Sequence, residues 1–206
     1  MRTKSKWFAK EQKREPQVLA GAVALNIWRL GLHSIQRMRG VQFEIEASRQ
    51  YFDFLREYLV FLNHVVDRFA FERLGNDERQ QFTSAMVKKT AEFLSENEAR
   101  LLGGEEAPIV GQFIQSFNQR GEDYATFGLD GGRPDFAFMR YCGFQLAEVV
   151  SVQDRHWVMD QVMAIEAPEA IDTLLKLLDN LFATAGNSPA LAANETTEDT
   201  HDRRTS

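Results

Sequence analysis

Seven aromatic side chains and one histidine crowd the segment from Tyr51 to Leu74, YFDFLREYLVFLNHVVDRFAFERL. A stretch this rich in large apolar groups has to be covered by neighbours, which limits the chain to folds with a central element. Placing successive residues about 100° apart, as an α-helix does, gathers Tyr51, Phe52, Leu55, Tyr58, Leu59, Leu62, Val66, Phe69 and Ala70 on one side. Arg49, Asp53, Arg56, Glu57, Asn63, His64, Asp67 and Arg68 fall on the other, and no period-two alternation supports a strand. Phe54, Phe61 and Val65 widen the apolar arc to about half the circumference, beyond the ~100° stripe of an ordinary surface helix. This helix is expected to lie between two or more others, where each fully buried Phe or Leu contributes roughly 1.5–3 kcal/mol of transfer free energy.

The polar side carries the sharpest candidate for function. His64 and Glu57 are seven residues apart and share a face, with Asp67 and Arg68 close to it. A carboxylate beside an imidazole can orient it for proton transfer or metal ligation. The plainer expectation is a solvated stripe of ion pairs opposite the core.

Glycine and proline punctuate the rest of the chain into helices. One is expected from about residue 16, with Pro16 in its first turn, to residue 39, stopped by a left-handed Gly40. Leu25, Trp28, Leu32, Ile35 and Met38 should face inward. The aromatic helix then spans about 43–74, and Gly75-Asn76-Asp77 provides a stop, a cap and an acidic first turn so close together that the next helix must fold back. That helix, about 77–102, should bury Phe82, Met86, Phe93 and Leu94, show Lys88, Glu92 and Ser95 to water, and end at Gly103-Gly104. A fourth opens at Pro108 and carries Ile109, Val110, Phe113, Ile114, Phe117 and Tyr124 inward; Gly121 within it costs about 1 kcal/mol relative to alanine and signals a break or close packing. After the turn-rich Gly128–Asp135 loop come helices at about 134–150, to about 166 after an approximate Ser151-to-Asp154 capping box, and from Pro168 onward. The expected fold is all-α: a single-domain bundle of about six or seven helices with antiparallel neighbours over 16–185. A flexible basic arm (1–15) precedes it and a disordered polar tail (186–206) follows.

At 206 residues such a domain buries roughly 70% of its unfolded surface without disulfides or metals. Cys142 is the single cysteine and lies among Phe138, Met139, Phe144 and Leu146, so a buried thiol in a reducing compartment is expected, with the cytoplasm as its location. The apolar run Val18–Trp28 is too short to cross a bilayer, which needs ~20 residues. Residues 1–40 carry a net charge of +7 and the remainder −13. The acidic body argues against specific nucleic-acid binding, while Lys4, Lys6, Lys10, Lys13 and Arg14 could touch an anionic membrane or an acidic partner.

Known chemical motifs are absent: there is no phosphate loop, dinucleotide fingerprint, paired cysteine motif or nucleophile elbow. The only Glu-x-x-His pair, Glu198 with His201, falls in the tail. A metal centre would have to assemble Glu57 and His64 with Asp154, His156 and Asp160, and the aromatics could line a pocket for an apolar ligand. No cofactor is expected. The reading that follows is a non-enzymatic helical protein acting through a protein partner or self-association. Its alternatives are a metal-dependent helical-bundle enzyme and a peripheral membrane contact through the basic arm.

Overall fold

The computed structural model describes residues 16–41, 45, 48–130 and 132–186. The basic arm and the residues from 187 onward, about which the sequence makes separate predictions, lie outside the described residues. The chain is all-α, as its periodicity indicates: α1 (Pro16–Val41), α2 (Arg49–Phe71), α3 (Asn76–Leu102), α4 (Glu106–Thr126), α5 (Phe136–Val149), α6 (Arg155–Gln161) and α7 (Ala167–Gly186). A two-residue antiparallel ladder, β1 (Leu129–Asp130) with β2 (Arg133–Pro134), closes the turn between α4 and α5, with Gly132 at φ +79°.

α2 is the axis of the bundle and packs against α1, α3, α4, α5 and α7. Its pairing with α3 is antiparallel: Arg56 meets Glu98, Asn63 meets Thr90 and Asp67 meets Thr83. α1 comes close to α2 at Gly31, where a Cβ would stand 2.8 Å from a Leu59 methyl. Tyr58, Phe52, Phe54 and Phe61 are all at most 1% exposed. Phe61, Tyr124 and Phe138 form a ring cluster with centroids 4.5–6.4 Å apart, which ties α4 and α5 to α2. Each such ring pair adds about 0.5–1.5 kcal/mol beyond its area burial.

The expected solvated stripe on α2 does not exist. Sixteen of its 23 residues are buried, including Arg56, Asn63, His64 and Asp67 from the polar side. The cause is packing: the short connection folds α3 against that side, and α4 covers what remains. Buried polar groups need partners, and each has one: Arg56 holds Asp53 and Glu98, while Asn63 accepts from Thr90 and donates to the Leu59 carbonyl.

Several local expectations are corrected by the same packing. Gly40 lies inside α1 rather than stopping it, and Gly75 has φ −65°, an extended cap for α3 rather than a left-handed stop. Besides Gly132, the described glycines with positive φ are Gly103 and Gly104, where α3 does end. Ser95 is fully buried, its hydroxyl donating to the Glu92 carbonyl. Pro134 belongs to β2, and Asp135 caps α5 by accepting from the Phe138 N–H at 2.8 Å. The last two expected helices are one continuous rod: α6 passes into α7 through a π-helical turn, Val162–Glu166, in which the Ala167 N–H reaches the Val162 carbonyl. A wide turn just ahead of Pro168 accommodates a residue that lacks an N–H and crowds the carbonyl four positions back. By length and composition, Gln17–Gly40 of α1 is long and apolar enough to cross a membrane, a longer stretch than the Val18–Trp28 run suggests; half of its apolar window is buried in the bundle.

Candidate functional site

A cleft of about 520 Å³ opens between α2, α3 and α4. Helical spacing explains its lining. His64, Asp67 and Arg68 come from α2 at i, i+3 and i+4, while Arg79, Gln80, Thr83 and Ser84 of α3 repeat the same interval. Phe117, Gly121 and Tyr124 form the α4 wall. Three of the four residues on the polar face singled out from sequence therefore meet in one concavity. The fourth, Glu57, lies outside it and is held by both Nε and Nη2 of Arg120 at 3.2 Å.

His64 is 4% exposed, and its ring lies flat on Phe117 at 4.1 Å and 2°, with Tyr124 at 4.7 Å. Its Nε2 is 3.0 Å from the Phe117 carbonyl oxygen. A carbonyl only accepts, so Nε2 carries the proton and Nδ1 is left as an acceptor. Burial pushes the imidazole from 6.5 down to about 4, outweighing that hydrogen bond and the nearby Asp67 charge, so the ring is neutral at neutral pH. Gly121 faces this ring, and a Cβ there would stand 3.5 Å from His64 Cε1, an ordinary contact, so the approach of α4 does not require the glycine. α4 runs through it unbroken, so the mid-helix glycine marks neither a break nor a contact too close for a side chain.

Asp67 accepts from Arg79 at two points, Nε at 3.0 Å and Nη2 at 2.5 Å, and from the Thr83 hydroxyl at 2.7 Å. Two parallel N–H···O bonds fix orientation as well as charge. Arg68 donates through Nη2 to the Phe127 carbonyl at 3.3 Å, and its buried Nε has no partner. No carboxylate among the described residues lies within ion-pair distance of Arg68.

The proposed metal set does not assemble. His156 and Asp160 are exposed on α6, and Asp154 is engaged by the Ser151 hydroxyl at 2.6 Å. Among the described residues no three His, Cys, Asp or Glu side chains group closely enough to hold a metal ion. Lys4, Lys6, Lys10, Lys13 and Arg14 lie outside the described residues.

Arg79, Thr83 and Arg120 escaped notice in the sequence because each looks like an ordinary surface residue on its own helix. The signal that could have found the first two is the tight Gly75 turn: an antiparallel return places residues near 79 and 83 opposite Asp67. Comparison with protein-family models, curated proteins and solved structures finds no match to this chain.

Proposed function

We propose that the protein is a non-enzymatic binding protein whose α2–α3–α4 cleft receives a small polar molecule. The observation that carries this reading is the convergence of His64, Asp67 and Arg68 with Phe117 and Tyr124 on one concavity of about 520 Å³. Small-molecule sites have volumes of about 300–1,000 Å³ and combine aromatic walls with a few fixed polar groups. The polar groups here are held for recognition. Asp67 is occupied by Arg79 and Thr83, and an imidazole with a value of about 4 is a weak base at neutral pH.

Fragment screening by ¹H–¹⁵N NMR tests it. Perturbations confined to residues of α2, α3 and α4 around the cleft are expected. A diverse fragment set that shifts none of them rejects the reading.

A second reading, self-association, is favoured by the outer face of α5. Phe136 and Phe144 are 66% and 53% exposed there, with Arg140 between them one turn from each. Two copies of α5 packed antiparallel about Cys142 would set Arg140 of each over Phe144 of the other, a self-complementary cation–π pair of the kind a two-fold interface requires. Sedimentation of the wild type and Phe144→Asp discriminates: a wild-type dimer that the substitution dissociates supports this reading, and a wild-type monomer at high concentration removes it.

A further inference from the structure

The charges around the cleft do not cancel, and the remainder specifies a ligand. Asp67 is neutralised by Arg79, whose fork occupies both carboxylate oxygens. His64 is neutral, with its proton committed to the Phe117 carbonyl. Arg68 is left as one cation on the cleft wall with no carboxylate beside it: it donates to the Phe127 carbonyl and lies 5.9 Å from the Phe71 ring centroid, and its buried Nε lacks a partner. An arginine in this condition retains most of its donors for a planar anion.

We propose that the cleft binds a small monocarboxylate with a planar body, its carboxylate seated on Arg68 and its ring against the aromatic α4 wall. This inference rests on the cleft being a ligand site. A single unneutralised cation matches a single negative charge; a phosphate monoester, with nearly two charges at neutral pH, leaves part of its charge unmatched in a half-enclosed site. Phe117, half-buried, supplies the aromatic surface with Tyr124, 2% exposed, behind it; the exposed Ser84 hydroxyl supplies a further polar contact, and the Thr83 hydroxyl, whose proton goes to Asp67, can accept one.

The probes are benzoate, benzamide and phenyl phosphate, titrated into the full chain at low ionic strength and followed by NMR shifts of cleft residues. Benzoate should bind about tenfold more tightly than the isosteric benzamide, because only the former makes a charge-assisted pair. Phenyl phosphate should bind no more tightly than benzoate. Arg68→Gln should abolish the preference for benzoate over benzamide, and Arg68→Lys, which keeps the charge without the fork, should restore part of it. Equal binding of benzoate and benzamide by the wild type overturns the monocarboxylate assignment while leaving the cleft as a ligand site, and tighter phenyl phosphate binding overturns the monoanion argument. If no probe shifts a cleft residue, while other fragments do, the assignment again fails alone; if no fragment of any class does, the cleft reading fails with it. Should Arg68→Gln unfold, the wild-type comparison still decides.

Discussion

Acidification should destabilise this protein through His64 in a way that a single substitution can isolate. The unfolded imidazole takes a proton near 6.5, whereas the folded one takes it only at about 4. Between those values the unfolded state binds more protons, so stability falls as pH falls; above 6.5 and below 4 the contribution is flat. At 1.36 kcal/mol per unit, the full span is about 3 kcal/mol, and about 2 kcal/mol of it should be lost between pH 7 and pH 5. The carboxylates and arginines facing the ring or near it are Asp67, Arg68 and Arg79, with Glu57 and Arg120 farther along α2 and α4, and all of them stay in place when His64 is replaced by Phe. Phe preserves the stack on Phe117, and the Phe117 carbonyl retains its place in the α4 ladder. Urea unfolding of wild type and His64→Phe at pH 7 and pH 5 therefore gives a difference of differences of about 2 kcal/mol assignable to this ring. Parallel pH profiles for the two proteins would refute the reasoning, because they would mean that the buried ring is protonated as easily folded as unfolded.

Gly121→Ala should raise stability by about 0.4–1 kcal/mol in a urea or thermal melt, since the new methyl makes ordinary contact at 3.5 Å and the helix gains propensity; a loss would show α4 lying closer to α2. Tyr58→Phe should cost about 1–2 kcal/mol in urea unfolding, because the Tyr58 hydroxyl is buried between the Ser34 hydroxyl at 3.2 Å and the Glu166 carbonyl at 3.1 Å. An unchanged midpoint would contradict that bookkeeping. Cys142 is 1% exposed and burial pushes its thiol well above the usual range, so a thiol reagent should label it only as fast as the chain opens, and fully in urea. Prompt labelling of the native protein would show that the α5 face opens without global unfolding.

The helices were legible because apolar periodicity and punctuation agree over long segments: the third helix is off by one residue at its start, and Gly103-Gly104 ends it as expected. What a helical projection cannot see is the neighbour. It divides α2 into two sides correctly, yet whether the polar side meets water depends on α3 and α4, whose own polar residues complete its hydrogen bonds. His64 is the clearest instance: the spacing that groups it with Asp67 and Arg68 is real, and the inference of solvation was not. Turn glycines were ambiguous for a related reason, since Gly40 and Gly75 carry the composition of a stop but the backbone there never needs the left-handed region. The metal set failed on distance, which no spacing within separate helices can supply.

The π turn at Val162–Glu166 gives the final rod one place where its length can change without moving its apolar face. It holds more residues than a regular turn, and beyond it Ala170, Ile171, Leu174 and Leu178 face the core while Glu166, 1% exposed, meets Arg37 at 3.0 Å. Deleting one residue within it would close a regular α-turn and leave the downstream helix close to its present phase, since the extra residue is what the wide turn absorbs. A deletion in the regular helix beyond it, at Asp172 for instance, would instead rotate everything downstream by about 100°, turning Leu174 and Leu178 toward solvent and detaching Phe182 from Phe69 and Phe82, against which it packs edge-on. In this rod a change of one residue in length is therefore expected to be tolerated at the π turn and not beyond it, where drift in sequence does less harm than drift in spacing.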